Sequence, residues 1–422
     1  MAISLALSNP NPVFAPVITT TGIDESAVDD DDDDDDARVI VIFRAALRAP
    51  PRAPAPGAHR TDARIACARI VRVFVVVVVR RAGRARSRER VCVSTRARES
   101  DVAIAMPPTH HALACSLATG DGSAQAILAA RFSHDAKHVV ACGRDRAFAL
   151  YNASSGALIK TYAGGHAHEV RDVACAPTGA TIASCGGDRG VFLWDVATGA
   201  AVRKWSGHEG RGGANAVRFA GASASVVASA GDDASVRVWD VRSRDANAVQ
   251  VLNSRTGVAF GDAVTSLAVD DGGGARVSCA SVDGAVRTID LRRGTCDVDV
   301  IGAPVTCVRL SGDNRCALVG CLTSRVGLID VESGDTLATY RGHVAETAKT
   351  ECCLTNDDAY VIAGSEDGRV CIWDLVSARL VSEIQAHRVG SAVCGVDYSR
   401  RGASPKLVTT GADGRAHVWV PV

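Results

Sequence analysis

Aromatic residues are scarce in this 422-residue chain, at 4% of positions, and methionine occurs twice. So few rings leave little for base-stacking platforms once a core is filled. Net charge is absent as well, with 47 Lys and Arg against 47 Asp and Glu. Split at Met106, the balance is 16 Arg against 14 acids upstream and 31 Lys and Arg against 33 acids downstream, so the larger part is close to neutral. Phosphate backbones are bound by clustered Lys and Arg that release counterions. Direct nucleic-acid binding is therefore not expected. The apolar run between Arg72 and Arg80 falls far short of the roughly 20 residues of a membrane helix, and no membrane association is expected. The 15 Cys include no C-x-x-C pair and no regular spacing, which argues against a zinc ribbon or a disulfide framework. They read as reduced thiols serving as small hydrophobes, Cys185, Cys279 and Cys371 among them.

Residues 1–105 differ from the rest. They hold eight consecutive Asp (Asp29 to Asp36), a Pro/Ala/Arg stretch from Pro50 to Pro56, five consecutive Val (Val75 to Val79) and an Arg-rich stretch over 80–98, with no fold-like periodicity. This composition predicts a disordered, low-complexity extension, its charge runs solvated. The first Arg, at position 38, follows the acidic run, so the basic start of a secretory signal is missing. Met106 stands just before sequence with domain character and offers a translation start that would make the upstream segment an artefact of the gene model.

A repeat recurs after about residue 120. A short apolar run, a small residue, an Asp and alternating residues leading to Trp-Asp appear as GGDRGVFLWD (186–195), VVASAGDDASVRVWD (226–240) and VIAGSEDGRVCIWD (361–374). The Trp position is filled by Tyr151, Trp194, Trp239, Ile289, Ile329, Trp373 and Trp419, at spacings of 43, 45, 50, 40, 44 and 46 residues. An Asp lies six residues earlier in six copies (Asp145, Asp188, Asp233, Asp283, Asp367 and Asp413), the fifth having Thr323. His166, His208, His343 and His387 lie 28 to 32 residues before their Trp. Short β-branched segments broken by Gly, Asp and Ser turns describe a small antiparallel sheet, which cannot bury both faces alone. Seven such sheets stacked radially can.

With these markers, residues 112–422 resemble the WD-repeat family. The resemblance implies an all-β fold, a seven-bladed WD-repeat β-propeller. It also implies one hydrogen-bonded network per blade: His166, Ser184, Asp188 and Trp194; His208, Ser229, Asp233 and Trp239; His387, Thr409, Asp413 and Trp419. The sixth blade has Ala363 at the Ser position. Only three residues follow Trp419, too few for an outer strand, so 111–120 is expected to close the ring.

No P-loop, G-x-S-x-G or H-E-x-x-H occurs, and the glycines of 270–277 read as a hairpin turn. Neither catalysis, a cofactor nor a metal is expected. Arg242 and Arg292 each stand two residues after the Asp of the Trp-Asp position. In some WD-repeat proteins such an arginine docks a cullin-ligase adaptor. The stretches 159–173, 186–210, 280–294 and 364–376 resemble one subfamily, the mitogen-activated protein kinase organizers. That implies a non-enzymatic scaffold of nucleus and cytoplasm, monomeric within larger complexes, whose partners are splicing factors and kinase-cascade components. The alternative is a substrate receptor of a cullin-type ubiquitin ligase.

Overall fold

The computed structural model describes residues 111–117 and 125–421 except 211, 271–272 and 400–404, together with four backbone strands further upstream. Met1–Pro108 and Thr109–Val422 are separate compact units. In the first, Val71–Arg80 pairs antiparallel with Arg38–Val41, Arg44–Ala45 and Val91–Ala97. Its centre is the valine run, whose β-branched side chains favour extended backbone. The rest of 1–110, Met106 included, lies outside the described residues, and the expectation of a disordered extension falls mostly on them.

The second unit is a seven-bladed propeller of four-stranded antiparallel sheets. Blade 1 runs outward through Ile127–Phe132, His138–Gly143, Phe148–Asn152 and Leu158–Tyr162. Blades 2 to 6 follow over 170–206, 214–252, 264–300, 305–341 and 352–385. Blade 7 takes three strands from Val393–Tyr398, Leu407–Gly411 and Ala416–Pro421. Its outer strand is His111–Leu117, paired antiparallel with Ala416–Pro421. Ser116 Oγ and His417 Nδ1 are hydrogen-bonded across this seam at 2.9 Å.

The core lies between blades. One cluster joins Phe148 and Tyr162 of blade 1 to Val173, Ile182 and Trp194 of blade 2, and the next joins Leu193 and Trp205 of blade 2 to Val217 and Trp239 of blade 3. The few aromatics are concentrated here. Phe148 stacks on Tyr162 at 4.6 Å and meets Trp194 edge-on at 5.3 Å. Between blades 4 and 5 the same space is filled by Val, Ala, Leu, Ile and Cys321. Each fully buried side chain such as Ile182 contributes about 1.5–3 kcal/mol. The described cysteines of the propeller are free thiols, and burial pushes those of Cys175 and Cys371 up to about 12.

The innermost strands contact one another round a closed ring. In blades 1 to 5 and 7 the register of this strand shifts at its second residue, as between Val170 and Asp172. Such a bulge sharpens the local twist. It also leaves two residue positions per blade in matching rows around the axis.

Candidate functional site

In blade 2 the structure brings His166, Ser184, Asp188 and Trp194 together. Trp194 Nε1 donates to Ser184 Oγ at 2.8 Å, Ser184 Oγ is 2.8 Å from His166 Nε2, and His166 Nδ1 is 3.0 Å from Asp188. With Nδ1 protonated the chain of donors runs Trp, Ser, His, Asp, and every polar atom in it is satisfied. Blade 3 repeats the arrangement in Trp239, Ser229, His208 and Asp233 at 2.9, 2.8 and 2.9 Å. Blade 7 does so in Trp419, Thr409, His387 and Asp413 at 3.0 Å throughout. Each Asp also accepts the backbone N–H that follows the His, from Ala167, Glu209 and Arg388. Burial alone would raise the Asp233 carboxyl, but the bonds from His208, Glu209 and Ser235 bring it down to about 2.

Ser184, His166 and Asp188 have the connectivity of a hydrolytic triad. Their chemistry is different. Ser184 and Ser229 are completely buried, and each oxygen already accepts an indole N–H that a nucleophile would have to shed. These are internal ties of the blade. Asp188→Ala should strand His166 and the Ala167 N–H, lowering stability by about 1–3 kcal/mol in a denaturant titration. Partner binding should fall only as far as folding does.

Blade 6 departs from this scheme. With Ala363 in place of the hydroxyl, Trp373 Nε1 turns to the Arg341 carbonyl at 2.9 Å, and Asp367 pairs with Arg369 at 2.7 Å. His343 keeps an edge-on contact with Trp373, but its Nδ1 is buried without a partner. Burial lowers the His343 imidazole to about 4. The folded state therefore holds it neutral while the unfolded chain takes up a proton from about pH 6.5 downward. Its contribution is intact above pH 6.5 and is lost between there and pH 4, at about 1.4 kcal/mol per pH unit. In His343→Phe the loss of stability between pH 7 and pH 5 should shrink by about 1–2 kcal/mol. Blade 4, which has no His, binds Asp283 to Arg287 at 2.8 Å instead.

Sequence reasoning missed a second constellation, at the ring axis. Arg131 of blade 1 makes a two-pronged pair with Glu351, which precedes the inner strand of blade 6, at 2.6 and 2.7 Å, and a bond to Asp172 of blade 2 at 2.9 Å. Arg218 of blade 3 also holds Asp172, and Arg309 of blade 5 reaches Glu351 at 3.3 Å. Blades 1 and 6 are not neighbours, so the Arg131–Glu351 pair passes inside blade 7. Burial would raise the Glu351 carboxyl, yet the charges of Arg131 and Arg309 hold it far below the usual range. A recurrence was there to be found. Arg131, Arg218, Arg309 and Asp397 share one register of the inner strand, and Asp172 and Glu351 share the register two residues earlier.

Arg242 and Arg292 lie on turns leaving the third strands of blades 3 and 4. Arg242 is 75% exposed, with its guanidinium on Asp240 at 3.1 Å. Arg292 is exposed, anchored by its backbone N–H to Asp290 at 2.9 Å. Among the described residues, no group of three His, Cys, Asp or Glu is placed to hold a metal ion. No helix among them is long and apolar enough to cross a membrane.

Seven four-stranded blades, tied in three cases by the Trp–Ser/Thr–His–Asp chain, define a WD-repeat propeller. The chain belongs to that family: residues 156–195, 199–240 and 334–374 match the WD domain, G-beta repeat. It is similar to the WD repeat domain-containing protein 83 of Rattus norvegicus, 40% identical over 264 residues, which covers 63% of this chain and 80% of the relative. The Homo sapiens protein of that name is 40% identical over 277 residues, covering 66% and 83%. A Dictyostelium discoideum homolog is 25% identical over 324 residues, covering 69% and 94%. WD-repeat propellers are interaction scaffolds rather than catalysts, and this one is a scaffold for protein partners.

Proposed function

We propose that this scaffold works in pre-mRNA splicing, in the nucleus and the cytoplasm, with organisation of a mitogen-activated kinase cascade as a second role. The observation that carries the reading is the resemblance in blade order of 159–173, 186–210, 280–294 and 364–376 to the kinase-organizer subfamily. It is supported by the similarity to proteins named WD repeat domain-containing protein 83 over most of their length. Apolar side chains left in solvent on the outer strands, Leu158 and Ile159 on blade 1 and Val298 and Val300 on blade 4, suit protein contacts. Affinity purification of the protein at native level from its own cells should recover splicing factors. Recovery of kinases alone would leave only the second role.

The exposed pair Arg242 and Arg292 favours the rival reading, a cullin-ligase substrate receptor. Exposed charges away from special features shift stability by only about 0.5 kcal/mol, so any loss of binding on their removal reports an interface. For a scaffold, the double variant Arg242→Ala, Arg292→Ala should keep its splicing-factor partners. A cullin adaptor lost from the purification by this variant, with splicing factors absent from the unmutated protein too, would establish the receptor.

A further inference from the structure

We infer that the axis of the propeller binds a small monovalent anion of halide size, held by Arg131 and Arg309. Three guanidiniums, Arg131, Arg218 and Arg309, share only two carboxylates, Asp172 and Glu351. Around them, half-buried Lys349, on the Thr265 carbonyl at 2.8 Å, is offset by Asp397, which accepts the Phe132 N–H at 2.9 Å. One positive charge is left over. Towards solvent, Arg171 pairs with Glu169 and Asp232, but those side chains are about a third exposed, where water screens them.

The surplus charge coincides with unused donors. Nε of Arg131 and Nε of Arg309 are both buried and find no acceptor among the protein's atoms. The two side chains converge, since Arg131 Nη1 and Arg309 Nη2 bond the same oxygen, Glu351 Oε2, at 2.7 and 3.3 Å. The row that carries Asp172 and Glu351 carries Ala129, Ala216 and Gly395 in blades 1, 3 and 7, too short to supply an acceptor, and Ser266 and Cys307 in blades 4 and 5, which are engaged by the Val308 N–H and the Cys352 carbonyl. A water molecule would satisfy the N–H groups and leave the charge; an anion answers both.

Bromide is the probe. Crystals of the full chain soaked in sodium bromide should show an anomalous peak within hydrogen-bonding distance of Arg131 and Arg309. In solution, exchanging gluconate for chloride at fixed ionic strength should raise the melting temperature by about 2 °C or more, through binding to the folded state alone. Lys349→Met removes one positive charge at the edge of the cluster and should abolish that rise while still melting cooperatively in gluconate. Bromide at surface positions only, an adventitious ion only, would overturn the inference. So would a chloride-induced rise of equal size in Lys349→Met.

Discussion

Glu351→Ala should cost the folded protein about 3–5 kcal/mol, the largest effect expected of any single substitution considered. Arg131 would lose both prongs of its pair and Arg309 its carboxylate contact, with each Nε already lacking an acceptor. Two desolvated cations would then lie side by side at the axis, with Asp172 and Asp397 the carboxylates left near them. The penalty comes from the charges left behind more than from the bond removed. Arg131→Met combined with Glu351→Leu should therefore be less damaging than Glu351→Ala alone. Urea titrations of the three proteins give the comparison, and a Glu351→Ala protein within 1 kcal/mol of wild type would disprove the account. Because the Glu351 carboxyl is held far below its usual range, its contribution is present at neutral pH. It is intact above the ordinary carboxylate range, where the unfolded chain's Glu begins to take up protons, and is lost progressively as the pH falls through that range towards the depressed value of the folded state.

Two truncations should part sharply. A chain lacking 1–105 retains His111–Leu117 and should melt close to the full-length protein, whereas one lacking 1–120 should aggregate. Without that strand Ala416–Pro421 becomes a bare edge, with Val418 and Trp419 on it. Leu117 and Cys115 also leave the cluster they form with Ile127, Val139, Tyr151 and Val418, which loosens blade 1 as well as blade 7. Size-exclusion chromatography with a thermal melt decides it. Two monomeric proteins of equal melting temperature would show that the ring does not depend on this seam.

The blades were legible because their markers repeat at short range. Ser184 and Trp194 are 10 positions apart and His166 and Asp188 are 22, so the period that counts the blades also collects each network. Where the marker persists but its partners change, periodicity misleads. Asp283 and Asp367 occupy the Asp position, yet they bind Arg287 and Arg369 rather than a His. The axial cluster stayed hidden for a different reason: Arg131 and Glu351 are 220 positions apart and meet only after the ring has formed. Their types alternate between blades, basic in 1, 3 and 5, so no adjacent pair of repeats displays the pattern.

The seam of blade 7 sets a clock on synthesis. Ser116 and His417 lie 301 positions apart, and at about 5–20 residues per second the first of them waits roughly 15–60 s for the second to leave the ribosome. Six blades can pair locally during that interval, while His111–Leu117, with its alternating Leu113, Cys115 and Leu117, remains without a sheet to join. Contacts of such separation also make closure slow relative to hairpin formation. A nascent chain of this kind is most exposed to misassembly just before its last strand is made, and a circular permutant that places His111–Leu117 after Pro421 should be freed from the wait.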